Sequence, residues 1–230
     1  MRTFLGTLAA VLVLASLQTA AHAHFIWATV ENHQVRFALL ENIAEAPSAK
    51  FEKYVSSLTP LCSGKKLTLG ESKDGARYAP LAAGQKVVVA ESVIGAKERN
   101  GETYLLVYHA KGAASLAAAG TNAKEPVELQ ARREGNSLIL SVHQNRRPVA
   151  ESEVWVQWPG EEEPSRVKTD AQGNAKAEWP TAPQSGMVGI RAMTTEATPG
   201  ESEGKKYTSV HHWATLTFPI EGAKPAQCSP

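Results

Sequence analysis

The sequence lacks most features that mark enzymes and nucleic-acid-binding proteins. It has only two cysteines, and its 24 basic side chains nearly balance its 23 acidic ones, for a formal charge of +1. No cluster of lysine or arginine exceeds a doublet, so the basic surface that DNA, RNA or an anionic membrane would need is missing. The H-E-x-x-H motif and the P-loop are also missing, which argues against zinc-protease and nucleotide-binding chemistry. We therefore expect no enzyme activity and no nucleic-acid partner.

The first 23 residues have the composition of a secretory signal peptide. Arg2 precedes an apolar run over residues 4–17, and the sequence AHA at 21–23 is a small-residue cleavage pattern. The apolar run is shorter than the roughly 20 residues that a membrane-spanning helix needs. We expect cleavage at the end of this pattern, or two residues earlier as the alternative. The mature protein would then be periplasmic or secreted and would begin at His24.

The two cysteines, Cys62 and Cys228, enter an oxidising compartment if the leader works as expected. They predict a disulfide that ties the C-terminal tail to the body of the protein. Two alternatives stay open: a free Cys228 in a disordered tail, and a two-thiolate metal site, for which no C-x-x-C pattern is present.

Helical periodicity is scarce, and short alternating or β-branched runs recur between turn residues instead. This pattern is typical of β-sandwich domains. One short amphipathic helix is predicted over 46–57. The predicted strands cover 25–30, 34–39, 86–93, 103–109, 137–142, 153–158, 175–179, 187–193 and 212–218.

The alanine-rich stretch over 111–126 ends at Pro126, just before a new strand pattern. We place the boundary between two domains in this stretch. The predicted organisation is then a signal peptide (1–23), an N-terminal β-sandwich (24–122), a C-terminal β-sandwich (123–220) and a tail (221–230). The sequences RPVAESEVWV, TDAQGNAKAEW and VGIRA in the second half resemble the carboxypeptidase-regulatory type of β-sandwich, which marks a fold and not a reaction. The predicted fold class is therefore all-β, with two Ig-like or carboxypeptidase-regulatory-like units and little helix.

A histidine at the first position of a chain has unusual metal chemistry. Its α-amine, with a pKa of about 8, and its imidazole can close one chelate ring on a metal ion. A further imidazole would complete a three-nitrogen set that suits Cu(II) or Ni(II), whereas a tetrahedral set with an additional ligand would suit Zn(II). His24 is therefore the first candidate ligand, and the divalent cargo could be nickel, cobalt, copper or zinc.

Three more histidines are candidate ligands because each lies where a predicted strand begins or ends. His109 ends one predicted strand, and the pair His211 and His212 opens another. Since neighbouring residues of a strand point to opposite faces, only one member of the pair would face a metal, and the other would point away or support it. Strand-end histidines could meet at one rim of a sandwich.

The sequence AHAHFIW at the cleavage site, the TDAQGNA turn and the closing YTSVHHWATLTFP resemble the NikM-like domain family of unknown function. Exported proteins of this family are often associated with bacterial nickel or cobalt uptake, and their mature chains typically begin with a histidine before an aromatic and apolar strand. The resemblance matches that first histidine to His24 and the last strand to HHWATLTF. His109 is proposed from its strand position alone.

Three functions are consistent with these features. The leading one is an exported transition-metal-binding protein that passes its ion to a membrane metal transporter. The second is a copper oxygenase with an N-terminal histidine brace, which would need a flat exposed surface and a second imidazole facing His24. The third is a structural or adhesive β-sandwich protein without metal.

Overall fold

The computed structural model describes residues 24–71 and 74–221. The expected signal peptide, Cys228 and all but the first residue of the expected tail lie outside these residues. No helix among the described residues is long and apolar enough to cross a membrane.

Strands dominate the structure, and helices are few and short. The described residues contain a 3₁₀ turn over Ala49–Phe51 and the α-helices α1 (Glu52–Ser56) and α2 (Leu116–Ala119). The strands are β1 (Phe25–Glu31), β2 (Gln34–Leu40), β3 (Leu61–Cys62), β4 (Lys65–Lys66), β5 (Arg77–Pro80), β6 (Val87–Arg99), β7 (Glu102–Ala113), β8 (Val127–Glu134), β9 (Ser137–Gln144), β10 (Arg147–Pro148), β11 (Glu153–Gln157), β12 (Ser165–Lys168), β13 (Asn174–Glu178), β14 (Gly186–Glu196), β15 (Gly200–Ser202), β16 (Lys205–Tyr207) and β17 (Ser209–Ile220).

The strands form three layers. The central layer is an eight-stranded sheet in the order β12-β11-β14-β17-β7-β6-β3-β4, in which β17 and β7 are parallel. One face of this sheet carries the three-stranded sheet β1-β2-β5, and the other carries a sheet in which β9 pairs with β8, β10 and β13. A separate hairpin joins β15 and β16.

The alternation of side chains along β17 explains how one sheet serves two neighbouring layers. Leu216 and Phe218 are fully buried in the core beneath β8 and β9. Thr215 and Thr217 point to the other face, where their hydroxyls donate hydrogen bonds to the carbonyls of Ile26 and Ala28 on β1. This part of β17 is buried on both faces, with apolar residues on one face and threonines on the other.

A glycine allows the close approach of β1 to the central sheet. A Cβ atom on Gly112 would lie 2.7 Å from the carbonyl oxygen of Ala28, closer than real contacts allow. Gly112 on β7 is paired with Thr217 on β17, so these two neighbouring residues contact the same segment of β1.

The all-β prediction is confirmed, and the short helix predicted over 46–57 appears as the 3₁₀ turn followed by α1. Two hydrophobic cores are present, one on each face of the central sheet. Strands from both predicted halves pair within that sheet, through β7 and β17. The division into sandwich units at residue 122 stays a prediction.

Cys62 is a completely buried residue of β3. Its expected disulfide partner lies outside the described residues, so the disulfide also stays a prediction.

A candidate metal site built on a histidine pair

His109 and His212 meet on the face of the central sheet that packs against β8 and β9. The parallel pairing of β7 with β17 places His109 beside Ala214 and His212 beside Val107, so the two side chains are diagonal neighbours on one face. His109 Nε2 and His212 Nδ1 are 2.9 Å apart, within hydrogen-bonding distance. Both residues are buried, at 3% and 9% exposure.

A carboxylate lies near the outer nitrogen of each ring. Glu91 on β6 is the antiparallel partner of His109 and places Oε2 3.5 Å from His109 Nδ1. Glu196 on β14 places Oε2 3.6 Å from His212 Nε2. Both carboxylates are close to half exposed, at 46% and 43%. The result is a row of carboxylate, imidazole, imidazole and carboxylate across four strands, buried in the middle and open to solvent at both ends.

Burial keeps both imidazoles neutral near pH 7. Burial and, to a smaller extent, the neighbouring His212 together lower the pKa of His109 to about 3. Burial also lowers the pKa of His212, although Glu196 opposes that shift. The carboxylates therefore face neutral rings and do not form ion pairs with them.

The two rings carry too few protons to donate a hydrogen bond to both carboxylates of the row. Two neutral imidazoles carry two N–H groups for four ring nitrogens. One N–H forms the hydrogen bond between the rings, so only one N–H remains for the two outer nitrogens. One outer nitrogen can therefore donate to its carboxylate, and the second outer nitrogen points a lone pair at the other carboxylate. Consistently, His109 Nδ1 and His212 Nε2 are buried and have no hydrogen-bond partner among the described residues.

The two rings point almost straight at each other. Their centroids are 5.1 Å apart, close to the sum of the nitrogen separation and the two ring radii. This is the geometry of a linear hydrogen bond, so the rings would have to tilt before both nitrogens could bind one metal ion.

His211 lies on the opposite face of β17. Its ring stacks on Tyr104 with centroids 4.0 Å apart, and its Nε2 is 3.9 Å from Glu102. Burial lowers its pKa, while Glu102 opposes that shift. The alternation predicted for the doublet is therefore present, with His212 as the member that faces His109.

His24 lies on the face of the central sheet opposite to the histidine pair, immediately before β1. Its carbonyl accepts a 2.6 Å hydrogen bond from the hydroxyl of Tyr108, and its ring packs on Phe51 with centroids 4.3 Å apart. Tyr108 and His109 are adjacent on β7 and point to opposite faces. The structure therefore does not bring His24 together with His109 and His212.

The strand positions of the pair differ from the sequence prediction. His109 lies inside β7, which continues to Ala113, and His212 lies inside β17, which begins at Ser209. Both strands are longer than predicted because they pair with each other over most of their length, a long-range contact that local patterns do not reveal. The histidines meet within the sheet and not at a rim.

Lys111 adds a second polar group to the same face, two residues beyond His109. Its ammonium is buried and binds Glu128 Oε1 at 2.5 Å, with further hydrogen bonds to the carbonyls of Thr121 and Leu129. Burial lowers the pKa of Lys111, although Glu128 opposes the shift. Sequence reasoning missed this pair, as well as Glu91 and Glu196, but the i, i+2 spacing of His109 and Lys111 was an available signal.

Within residues 24–71 and 74–221, no three histidine, cysteine, aspartate or glutamate side chains are arranged as a ready metal site. The histidine pair therefore supplies two imidazole nitrogens, and a complete ligand set would require movement of neighbouring groups.

A serine lies between two glycines in the hairpin of β15 and β16. Residues 200–204 read GESEG, which matches G-x-S-x-G. In hydrolases that use this pattern, the serine occupies a sharp turn between a strand and a helix. Here Ser202 ends the short strand β15 of a two-stranded hairpin, so the structural context of a nucleophile is missing.

Comparisons with known proteins give little further information. No protein-family model matches the sequence, and no curated protein matches it significantly. One similar solved structure is described as a tetra-tandem repeat in the extending region of a large adhesion protein. It is 12% identical, with a TM-score of 0.23, over 85% of this chain and 49% of that chain. This chain thus spans about half the length of that structure (49%), and the similarity is too low to support an argument about function.

Proposed function

We propose that this protein is an exported transition-metal-binding protein, and that the histidine pair His109 and His212 takes part in holding a divalent ion such as nickel, cobalt, copper or zinc. The observation that carries the proposal is the row of two buried neutral imidazoles with a carboxylate at each outer nitrogen. In known metal sites, a carboxylate often accepts the outer N–H of a ligating histidine and fixes its orientation.

A metal ion would relieve the proton shortage in the row. If it bound between the rings, the proton there would move to the outer nitrogen of its own ring, and both outer nitrogens could then donate an N–H, one to Glu91 and one to Glu196. Once the rings tilt so that both inner lone pairs point at one ion, a nitrogen separation near the present 2.9 Å would suit ligands about 2.1 Å from that ion at an angle of about 90°. The low pKa of His109 also means that protons compete little with a metal near neutral pH.

His24 would contribute separately, as a chelating N-terminus, if the leader is cleaved after residue 23. The proposal then includes two sites on opposite faces of the central sheet. The proposal also includes delivery of the ion to a membrane transporter. This part is based only on the resemblance to NikM-like domains.

The test is titration of the exported, metal-free protein with Ni(II) and Cu(II), followed by native mass spectrometry and, for copper, electron paramagnetic resonance. We expect two imidazole nitrogens in the copper spectrum at the pair, and loss of that signal in His212→Gln. His143→Gln, a change of a histidine in β9, is the matched control. A spectrum without imidazole nitrogens from the pair, or one unchanged in His212→Gln, would contradict the proposal.

A further inference from the structure

A solvent-accessible cavity of about 550 Å³ lies beside the edge of the central sheet, and the metal proposal does not use it. Its apolar floor consists of Leu61 on β3 and of Val87 and Val89 on β6. Its opposite wall is the segment 121–125, which follows α2 and leads into β8. We call this space the junction cavity. Its volume lies in the range of about 300–1,000 Å³ that is typical of small-molecule sites.

The wall over 121–125 is held rigidly in place. The buried Lys111 ammonium binds the carbonyl of Thr121, and Glu128 accepts hydrogen bonds from the backbone N–H groups of Ala123 and Glu125. The buried Lys111 and Glu128 pair therefore fixes this segment against the core. A preformed wall lowers the entropic cost of binding a ligand.

The junction cavity presents groups of both charges. Lys86 and Lys124 line it and have exposed side chains. Glu125 also lines it and is partly buried. Lys124 has a φ of +64°, a left-handed backbone conformation that is uncommon for a residue with a side chain.

Among the described residues, Lys111 is the positive charge that stabilises the Glu125 carboxylate, and two other carboxylates oppose it. Burial, followed by the carboxylates of Glu128 and Glu91, raises the pKa of Glu125 to about 7, while Lys111 opposes the shift. Lys111 is already bound to Glu128 at 2.5 Å. A ligand ammonium group in the junction cavity would supply a further positive charge.

We propose that the junction cavity binds a small aliphatic zwitterion of amino-acid to dipeptide size. The ligand ammonium would bind Glu125, its carboxylate would bind Lys86 and Lys124, and its aliphatic part would cover the floor formed by Leu61, Val87 and Val89. None of the residues that would contact the ligand belongs to the histidine row, although the charge of Glu91 in that row acts on Glu125.

The test uses the exported, metal-free protein and two probes, L-leucine and L-leucyl-L-leucine, followed by ¹⁵N NMR and calorimetry. We expect saturable shifts of the amide signals over 121–125 with at least one probe. The single-charge analogues 4-methylpentanoate and isopentylamine should bind about 10- to 100-fold more weakly, because each loses one charged hydrogen-bonding group. The stronger of the two probes would show whether a free amino acid or a peptide is the better ligand.

Glu125→Gln and Lys86→Met should each weaken binding by a similar factor. Lys124→Asn is the third variant, because asparagine tolerates the positive φ. Exposed residues of the same types, in Glu162→Gln and Lys205→Met, serve as controls and should not change binding. The proposal is overturned if neither probe gives saturable shifts at millimolar concentration, if 4-methylpentanoate binds as tightly as leucine, or if Glu125→Gln binds like the unchanged protein.

Discussion

His109 and His212 lie 103 positions apart in the chain, yet their ring nitrogens are 2.9 Å apart. The parallel pairing of β7 and β17 creates this contact, and the antiparallel pairing of β7 with β6 adds Glu91 to it. The first prediction concerns the two carboxylates of the row. Glu91→Gln and Glu196→Gln keep the shape of the side chain but weaken the acceptor for each outer N–H. If the pair binds metal, each change should lower the affinity for Ni(II) or Cu(II) by about 10- to 100-fold.

Calorimetric titration measures this effect, with Glu178→Gln on β13 as an exposed control. Both carboxylates are nearly half exposed, so the variants should fold normally. Unchanged affinity in both would mean that the carboxylates do not support a metal ligand.

The second prediction concerns acid stability in the absence of metal. The folded-state pKa of His109 is lowered to about 3 from the ordinary value of 6.5, and burial lowers the pKa of His212 as well. Between these two values the unfolded chain binds protons that the folded protein does not. Stability is therefore fully present above about pH 6.5 and is lost as the pH falls toward about 3.

His109→Gln removes one of these groups, so its free energy of unfolding should fall less steeply over that window. Urea denaturation at several pH values, with a chelator present, measures the slope. His33→Gln changes a histidine in an exposed turn and is the control variant. Parallel profiles for His109→Gln and the unchanged protein would contradict the prediction.

Much of the fold is predictable from sequence because strand patterns are local. The alternating runs over 25–30 and 34–39 correspond to β1 and β2, and the doublet His211 and His212 divides between two faces as alternation requires. These features depend only on the two-residue repeat of a strand.

The site was less predictable because it depends on pairing between distant strands. No local pattern indicates that β17 runs parallel to β7, or which residue of β6 lies opposite His109. The separation of His24 from the pair also depends on how the layers are stacked. β1 packs on one face of the central sheet, and the side chain of His109 lies on the other face. A long strand with polar residues on a buried face, such as His109 and Lys111, is the clearest sequence signal of such a site.

The third prediction concerns the buried ion pair. Lys111→Met would leave the Glu128 carboxylate, which is only 4% exposed, without its cation. Removing one partner of a buried pair typically costs about 3–5 kcal/mol. The double variant Lys111→Met with Glu128→Gln should lose less, because no uncompensated charge remains.

Guanidinium denaturation measures these losses. The exposed pair Arg132 and Glu134, with contacts at 2.7 Å, is the matched control. Since exposed ion pairs contribute at most about 1 kcal/mol, Arg132→Ala should have little effect. A loss for Lys111→Met no larger than that for Arg132→Ala would show that the buried pair is not needed for stability.

The fourth prediction tests the close approach of β1 to the central sheet. Gly112→Ala places a methyl group 2.7 Å from the carbonyl oxygen of Ala28, and that backbone atom can move only with β1. Overpacking of this kind typically costs about 1–3 kcal/mol. Gly70→Ala is the control, because its new Cβ would lie at an ordinary 3.6 Å from the carbonyl oxygen of Tyr78. Thermal unfolding of both variants measures the difference, and equal melting temperatures would contradict the proposed close packing.

The last prediction concerns His24 as a chelating N-terminus. Adding one alanine before His24 removes the free α-amine from the chelate, while the hydrogen bond from Tyr108 and the ring contact with Phe51 can persist. The affinity for Cu(II) and Ni(II) should fall, by tenfold for each loss of about 1.4 kcal/mol. His24→Ala should lose at least as much, because it also lacks the ring nitrogen. Each chain is titrated in the background of His212→Gln, so that binding at the histidine pair does not hide the change. Equal affinities for the native, extended and substituted chains would show that His24 is an ordinary first residue, and the metal proposal would then depend on the His109 and His212 pair alone.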